Sequence, residues 1–414
     1  MLTVLTVKEA QQSVIQSLGD RPGKTENVLS AEAVGRVTAE EVFAPDMLPS
    51  FTRSTMDGYA VHSSDTFGAT ESLPALLKIK GEVLMGKEPP GKLENEECMA
   101  ISTGGMLPEG SDSVIMIEHC EVMGDQLAIF RPAAPFENTL QIGDDFRRGE
   151  VVFSGNHLLR PQDVGILSAF GLLKVSVYRP VKVVIFSTGD EIVPPDREEV
   201  DPGQIRDVNG YLLMGQVREC GALAEYRGII DDKPEELEKA LLASLEDSDM
   251  VLISGGSSVG KRDVAVNVLD NLPEGGVLFH GVSMRPGKPL IYGTSIGKPV
   301  FGLSGNPVSA MFSNILFVKP AIRYLQGLSP FPAFTPYVRA NLDSNYSSPG
   351  GREDYVRVSL YKQKNTEQEE EIWATPVFGG PGLLNTVIKG DGYFVIPRDM
   401  EGLPRRSKVE VRLF

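Results

Sequence analysis

Cysteine is scarce. The chain of 414 residues has three, Cys98, Cys120 and Cys220, and no Cys-x-x-Cys pair. That excludes a disulfide scaffold and a tetrathiolate zinc site, and isolated thiols point to a reducing, cytoplasmic setting. Tryptophan occurs once and histidine four times, and His62, His119, His157 and His280 show no metal-ligand spacing. No apolar run approaches the roughly 20 residues that span a bilayer, so no membrane association is expected. Lys8 and Glu9 interrupt the first apolar stretch and no basic segment precedes it, which does not read as a secretory signal. Positive charge is also short: 40 Lys and Arg stand against 56 Asp and Glu, a formal net charge of -16. Such a chain is a poor binder of nucleic acid or anionic lipid, and if its ligand is an anion the basic groups must be gathered locally. Internal repeats and low-complexity segments are absent.

What is present reads as ordinary globular protein, 41% hydrophobic and 23% charged. The length suggests about three domains. Residues 1–19 read as a helix opened by a capping box at Thr6 and Glu9. Residues 24–180 are short strand candidates punctuated by Gly and Pro, around one helix at Pro161–Gly171. The style changes after Arg179-Pro180. Short continuous apolar runs at Val181–Ser187, Met250–Ser254 and Pro299–Leu303 are expected of buried parallel strands, with helices at Val208–Cys220 and Pro234–Leu245 between them. Alternation of this kind implies a doubly wound α/β sheet. Pro330, Pro332 and Pro336 mark a linker, and residues 336–414 again read as all-β.

Ligands of open parallel sheets bind beyond the carboxyl ends of the strands, and three segments belong there. Ser187-Thr188-Gly189-Asp190-Glu191 follows the first strand; its paired acids suit a metal ion or a ribose hydroxyl, or serve only as a polar turn. Ser254-Gly255-Gly256-Ser257-Ser258-Val259-Gly260, with Asp263 beyond it, can close backbone N–H groups around phosphate, although no Gly-Lys-Ser/Thr ends it as in a P-loop. Gly302-Leu303-Ser304-Gly305-Asn306-Pro307 opens a helix expected to reach about Gln326, with Asn306 as N-cap and Pro307 in the first turn. Upstream lies Arg285-Pro286-Gly287-Lys288-Pro289, whose prolines stiffen a loop that can hold cations toward an anion. Thr55-Met56-Asp57-Gly58-Tyr59-Ala60-Val61 reads, taken alone, as a hairpin signal.

Together these segments, with Ser102-Thr103-Gly104 and Val308-Ser309-Ala310, occur in the order found in the MoeA family. The chain resembles these molybdopterin molybdenumtransferases, related to the catalytic domain of gephyrin, over nearly its whole length. The resemblance implies a multidomain α/β-plus-β fold: a molybdopterin-binding α/β domain at 1–22 and 178–327, a connecting domain at 23–46 and 143–177, a β-rich domain at 47–142 and a C-terminal β-barrel at 328–414. It implies a homodimer whose active site is shared between subunits, with Asp57 and Thr103 reaching the partner's cleft, and Glu191, Asp232 and Asp263 acting there. Asp190, Glu191 and Asp263 would hold Mg²⁺. Ser187, Thr188, Gly189, Gly255, Gly256, Ser258, Gly260, Arg285, Lys288, Ser304, Asn306, Pro307 and Arg352 would bind substrate. The implied reaction inserts molybdate into adenylated molybdopterin and releases AMP. An upstream adenylyltransferase would supply the substrate and molybdoenzymes would accept the product.

The chain differs from the usual pattern at several points. An arginine-rich stretch is replaced by Leu140-Gln141-Ile142, a tyrosine by Val264, a proline by Ser304 and a serine by Gly382. A diverged scaffold that keeps the fold, or a molybdopterin adenylyltransferase, are the competing readings. The acidic set argues against the first and the extra domains against the second.

Overall fold

The computed structural model describes residues 4–20, 23–231, 233–255, 262–364 and 368–414, with backbone alone at 262 and 263. The chain forms two compact units: Leu29–Val34 with Glu40–Val175, and a larger one from the remainder.

A helix opens the larger unit. Thr6 Oγ1 accepts the Glu9 N–H at 3.3 Å, Glu9 Oε2 accepts the Thr6 N–H at 2.8 Å, and α1 runs Val7–Leu18. Its Val7, Ala10, Val14 and Leu18 recur at helical spacing and are buried in one core with Val183 and Phe301.

The smaller unit holds β1 (Gly58–Val61), β2 (Ala75–Val83), β3 (Glu97–Ile101), β4 (Ser113–Met116), β5 (Cys120–Met123) and β6 (Gln126–Ile129) in one sheet, ordered β4-β1-β3-β2-β6-β5. The Asp57-Gly58 signal does not make a local hairpin. Gly58 pairs with Ile101 and Met116, so contacts distant in sequence decide the strand's partners. Helix α2 (Pro161–Ala169) starts on Pro161, and Asp163 accepts the Arg160 N–H at 2.8 Å and both arms of its guanidinium at 2.9 Å.

The chain then builds β7 (Lys182–Thr188), α3 (Asn209–Glu219), β8 (Leu223–Ile230), α4 (Pro234–Asp247), β9 (Met250–Gly255), α5 (Arg262–Asn271), β10 (Gly276–His280), β11 (Ile291–Ser295) and β12 (Lys298–Leu303). The sheet order is β8-β7-β9-β12-β11-β10. The first four strands are parallel, and β11 runs antiparallel to both neighbours. Alternate residues of each central strand enter different cores: Val183, Ile185, Met250 and Leu252 pack with α1 and α3, while Val184, Phe186, Val251 and Ile253 pack with α4 and α5. Both faces are covered, which is why these strands read as unbroken apolar runs. Each fully buried Val, Leu, Ile or Phe contributes about 1.5–3 kcal/mol.

The helix expected from Pro307 is one run in three parts: α6 (Pro307–Ser313), a π-helical turn at Asn314–Val318 and α7 (Lys319–Leu325). Pro320 accounts for the break, because it lacks an N–H and its ring opposes the carbonyl four residues back. Beyond it, β13 (Val338–Leu342), β14 (Glu353–Lys364), β15 (Glu370–Pro376), β16 (Gly392–Ile396) and β17 (Lys408–Leu413) close into a barrel, in the order β14-β15-β13-β17-β16 and back to β14. Val356, Val358, Ala374, Phe394, Ile396 and Val411 fill it. Outside it, Tyr355 and Tyr393 pack on Phe312 of α6, joining barrel and α/β sheet within this unit.

Candidate functional site

The carboxyl ends of the parallel strands meet where the three polar segments begin. Thr188 pairs with Gly255 and with Ile230, and Ser254 with Leu303. Gly255 has φ +116, and a Cβ there would lie 2.0 Å from the Thr188 carbonyl oxygen, so only glycine fits. Asp190 and Glu191 are exposed just beyond β7. A Cβ on Gly189 would come within 3.0 Å of Glu191 Oε2, which places that carboxylate over the turn. Among the described residues no three His, Cys, Asp or Glu side chains cluster as metal ligands. Asp232, Gly256, Ser258, Gly260 and the side chain of Asp263 lie outside the described residues.

Ser187 is buried, and its hydroxyl donates to Asp207 Oδ2 at 2.7 Å. Tyr226 donates to the same oxygen at 2.5 Å, and Asp207 Oδ1 accepts the Gly210 N–H at 3.1 Å. Burial and the Asp207 carboxylate push the Tyr226 hydroxyl well above its usual range. Beside them Asn209 Nδ2 donates to Ser254 Oγ at 2.8 Å and to the Gly305 carbonyl at 2.9 Å. This buried network ties three strand ends to the start of α3. Sequence reasoning missed Asp207, Asn209 and Tyr226; the polar residues Asp207 and Asn209 at the start of α3 were the available signal.

The second feature is a cavity of about 380 Å³ lined by Arg285, Lys288, Ser304, Asn306, Arg352, Asp354 and Arg357, among others. That is within the roughly 300–1,000 Å³ typical of small-ligand pockets. A short parallel pairing, Met284 with Glu353 and Arg285 with Asp354, fastens the Arg-Pro-Gly-Lys-Pro loop to the barrel. Gly287 takes φ +104, a conformation L side chains rarely adopt, and a Cβ there would have to displace Met284 Cε, 2.4 Å away. Lys288 and Arg352 are exposed and make no ion pair among the described residues. Arg357 is buried, donates to the Thr386 carbonyl at 3.2 Å and to its hydroxyl, and burial pulls its pKa down. Four cations therefore surround a space with one carboxylate, Asp354.

Asn306 occupies the N-cap of α6, yet its side chain makes no capping bond. It is turned toward Gly382, whose Cβ position lies 3.3 Å from Asn306 Oδ1. The helix start offers fewer amides than expected: Pro307 has none, and the Val308 N–H donates to the Pro381 carbonyl at 3.2 Å. Pro307 itself lies in the first turn but not on the cavity wall. Ser304 Oγ accepts the Asn306 N–H at 3.3 Å.

In the smaller unit, Asp57 and Thr103 come together. Asp57 Oδ1 accepts the Thr103 N–H at 2.7 Å and its hydroxyl at 3.1 Å, and both residues are exposed. Their partnership, across 46 positions of sequence, follows from the pairing of β1 with β3.

A sheet wound on both faces, polar strand ends and a cation-lined cavity against a closed barrel define a multidomain α/β-plus-β protein with a small-ligand site. Family models agree along the chain: MoeA N-terminal region (domain I and II) at residues 5–171, "Probable molybdopterin binding domain" at 184–324, and MoeA C-terminal region (domain IV) at 339–414. The chain is 31% identical over 412 residues to the molybdopterin molybdenumtransferase of Haemophilus influenzae, covering 99% of each. It is likewise 31% identical over 412 residues to molybdopterin molybdenumtransferase 2 of Mycobacterium tuberculosis, covering 98% of each. The crystal structure of a molybdopterin biosynthesis MoeA protein from Pyrococcus horikoshii superposes with a TM-score of 0.85 at 31% identity, covering all of both chains. The chain belongs to the MoeA family.

Proposed function

We propose that this protein is a molybdopterin molybdenumtransferase that inserts molybdate into adenylated molybdopterin and releases AMP. The observation that carries the reading is the cavity: Arg285, Lys288, Arg352 and Arg357 gathered from an otherwise acidic chain around a space of small-ligand size. Guanidinium and ammonium groups are the donors an oxyanion needs. Molybdate is the substrate held there, and Ser304 and Asn306 add polar contacts.

The strand ends are the second half of the site. Asp190, Glu191 and Asp263 are carboxylate donors, and Mg²⁺ takes oxygen ligands with phosphate completing the shell. The exposed carboxylates of Asp190 and Glu191 beyond β7 fit that chemistry. Bound Mg²⁺ would neutralise the phosphoanhydride. The turn from Ser187 to Gly189, with Gly255, Gly256, Ser258 and Gly260, would receive the substrate's phosphate, and Glu191, Asp232 and Asp263 would orient it for cleavage. Asp57 and Thr103, already joined by hydrogen bonds, would act in the cleft of a partner subunit. The four domain ranges expected from the family belong to this reading, as do a reducing cytoplasmic setting, an upstream adenylyltransferase and molybdoenzyme acceptors.

Calorimetric titration with molybdate tests the cavity. Lys288→Ala removes a cation that no carboxylate among the described residues neutralises, so affinity should fall at least about tenfold, the loss of one charge-assisted contact. Equal affinity of variant and wild type would remove this loop from the site.

A further inference from the structure

The carboxylate in the cation-lined cavity is out of place for a site that holds an oxyanion. Asp354 is 3% exposed and lines the cavity with Arg285 and Lys288. Its Oδ2 accepts a hydrogen bond from Ser348 Oγ at 2.8 Å. Its Oδ1 faces Arg285 Nε at 3.6 Å, an ion pair too long for a hydrogen bond. Arg285 is held near Asp354 by backbone pairing of the two residues, not by tight side-chain contact.

A dianion beside an ionised, buried carboxylate would be repelled by it. We propose that Asp354 couples oxyanion binding to proton uptake: as the anion enters, the Arg285 guanidinium, still charged, turns from Asp354 to pair with the anion, and Asp354 takes a proton from solvent and donates a hydrogen bond to an anion oxygen. The inference rests on the oxyanion reading of the cavity. The change is balanced, since one proton moves from buffer to Oδ1 and no covalent bond forms or breaks. It also makes the groups facing the anion donors: Arg285, Lys288, Arg352 and protonated Asp354, with Arg357 behind.

The surroundings favour this titration. Burial holds the Asp354 carboxyl above its ordinary range, opposed by Ser348, Arg285 and Arg357. Tyr346 also faces this corner, near Asp354 and Arg285. Drawing Arg285 toward an anion removes one of the opposing influences, and the anion adds a like charge, so the bound carboxyl lies higher than the free one. The sign follows. Well above the bound-state pKa the carboxylate stays charged, binding is weak and no proton is taken up. Below the free-state pKa the proton is already present. Between the two, affinity rises as pH falls, by up to about tenfold per pH unit for one proton.

Titration of the full-length protein with molybdate, from about pH 5 to 8 in buffers of different ionisation enthalpy, counts the protons. Wild type should take up as much as one proton per anion and bind more tightly as pH falls. Asp354→Asn keeps a neutral donor in place and should bind without that uptake and with a flattened profile. Ser348→Ala removes a bond to the charged form and should move the uptake window to higher pH; this variant carries the test if the asparagine variant does not fold. Molybdate binding that Lys288→Ala weakens, but with no proton uptake or with uptake unchanged in both Asp354→Asn and Ser348→Ala, overturns this inference alone. Absence of molybdate binding in wild type overturns the cavity reading and this inference together.

Discussion

Gly382 follows Pro381, which forms part of the cavity wall. Its φ is not in the left-handed region, and the one atom within 4 Å of an added Cβ is Asn306 Oδ1 at 3.3 Å. That side chain has no capping bond to lose, so it can give way. Gly382→Ser should therefore fold normally and add a hydroxyl donor near the anion, tightening molybdate binding by up to about tenfold. Unchanged or weaker binding in calorimetry would show that the hydroxyl is satisfied by Asn306 instead. The exposed cation Lys288 could be named from sequence because charge between prolines and glycine marks a loop, whereas Arg352 could be named only through the family resemblance. Asp354 and Arg357 could not. They lie within β14, where an alternating strand gives no hint that a charged residue faces a cavity rather than solvent.

At the scale of elements, the strand ends depend on backbone contact. Gly255→Ala should lower stability by about 2 kcal/mol or more, because it combines positive φ with a clash against Thr188. Gly305→Ala meets nothing closer than the Gly255 Cα at 3.7 Å and should be nearly neutral. Comparable melting temperatures for the two variants would contradict this account of the turn. In α2, the Arg160 guanidinium and His157 hold the Asp163 carboxyl well below its usual range. A depressed pKa contributes stability above the unfolded value and loses it as pH falls through the folded one. Asp163→Asn should therefore narrow the gap in stability between neutral and strongly acidic pH, measured by denaturant unfolding. The central strands β7, β9 and β12 were legible because burial on both faces leaves an unbroken apolar run. The half-exposed β8 and the antiparallel β10 and β11 lack such runs, and their place in the sheet follows from pairing that no local pattern displays.

At the scale of the molecule, the two compact units separate the Asp57–Thr103 pair from the strand-end acids in sequence and in folding unit. The proposed remedy is a homodimer in which each site draws on both chains. Mixing Asp57→Ala with Glu191→Ala should then restore part of the activity that either variant lacks, through hybrid dimers carrying one intact site. A strictly monomeric protein at micromolar concentration would contradict it. The chain's net charge of -16 also makes the cationic cavity a local exception, so molybdate binding should weaken with rising salt. The central claim is the transfer itself, and the most direct measurement is AMP release from adenylated molybdopterin in the presence of Mg²⁺ and molybdate. The account predicts molybdate-dependent AMP release by the wild type and a much slower reaction with Lys288→Ala. Intact adenylated molybdopterin after incubation with the wild-type protein and both ions would contradict it.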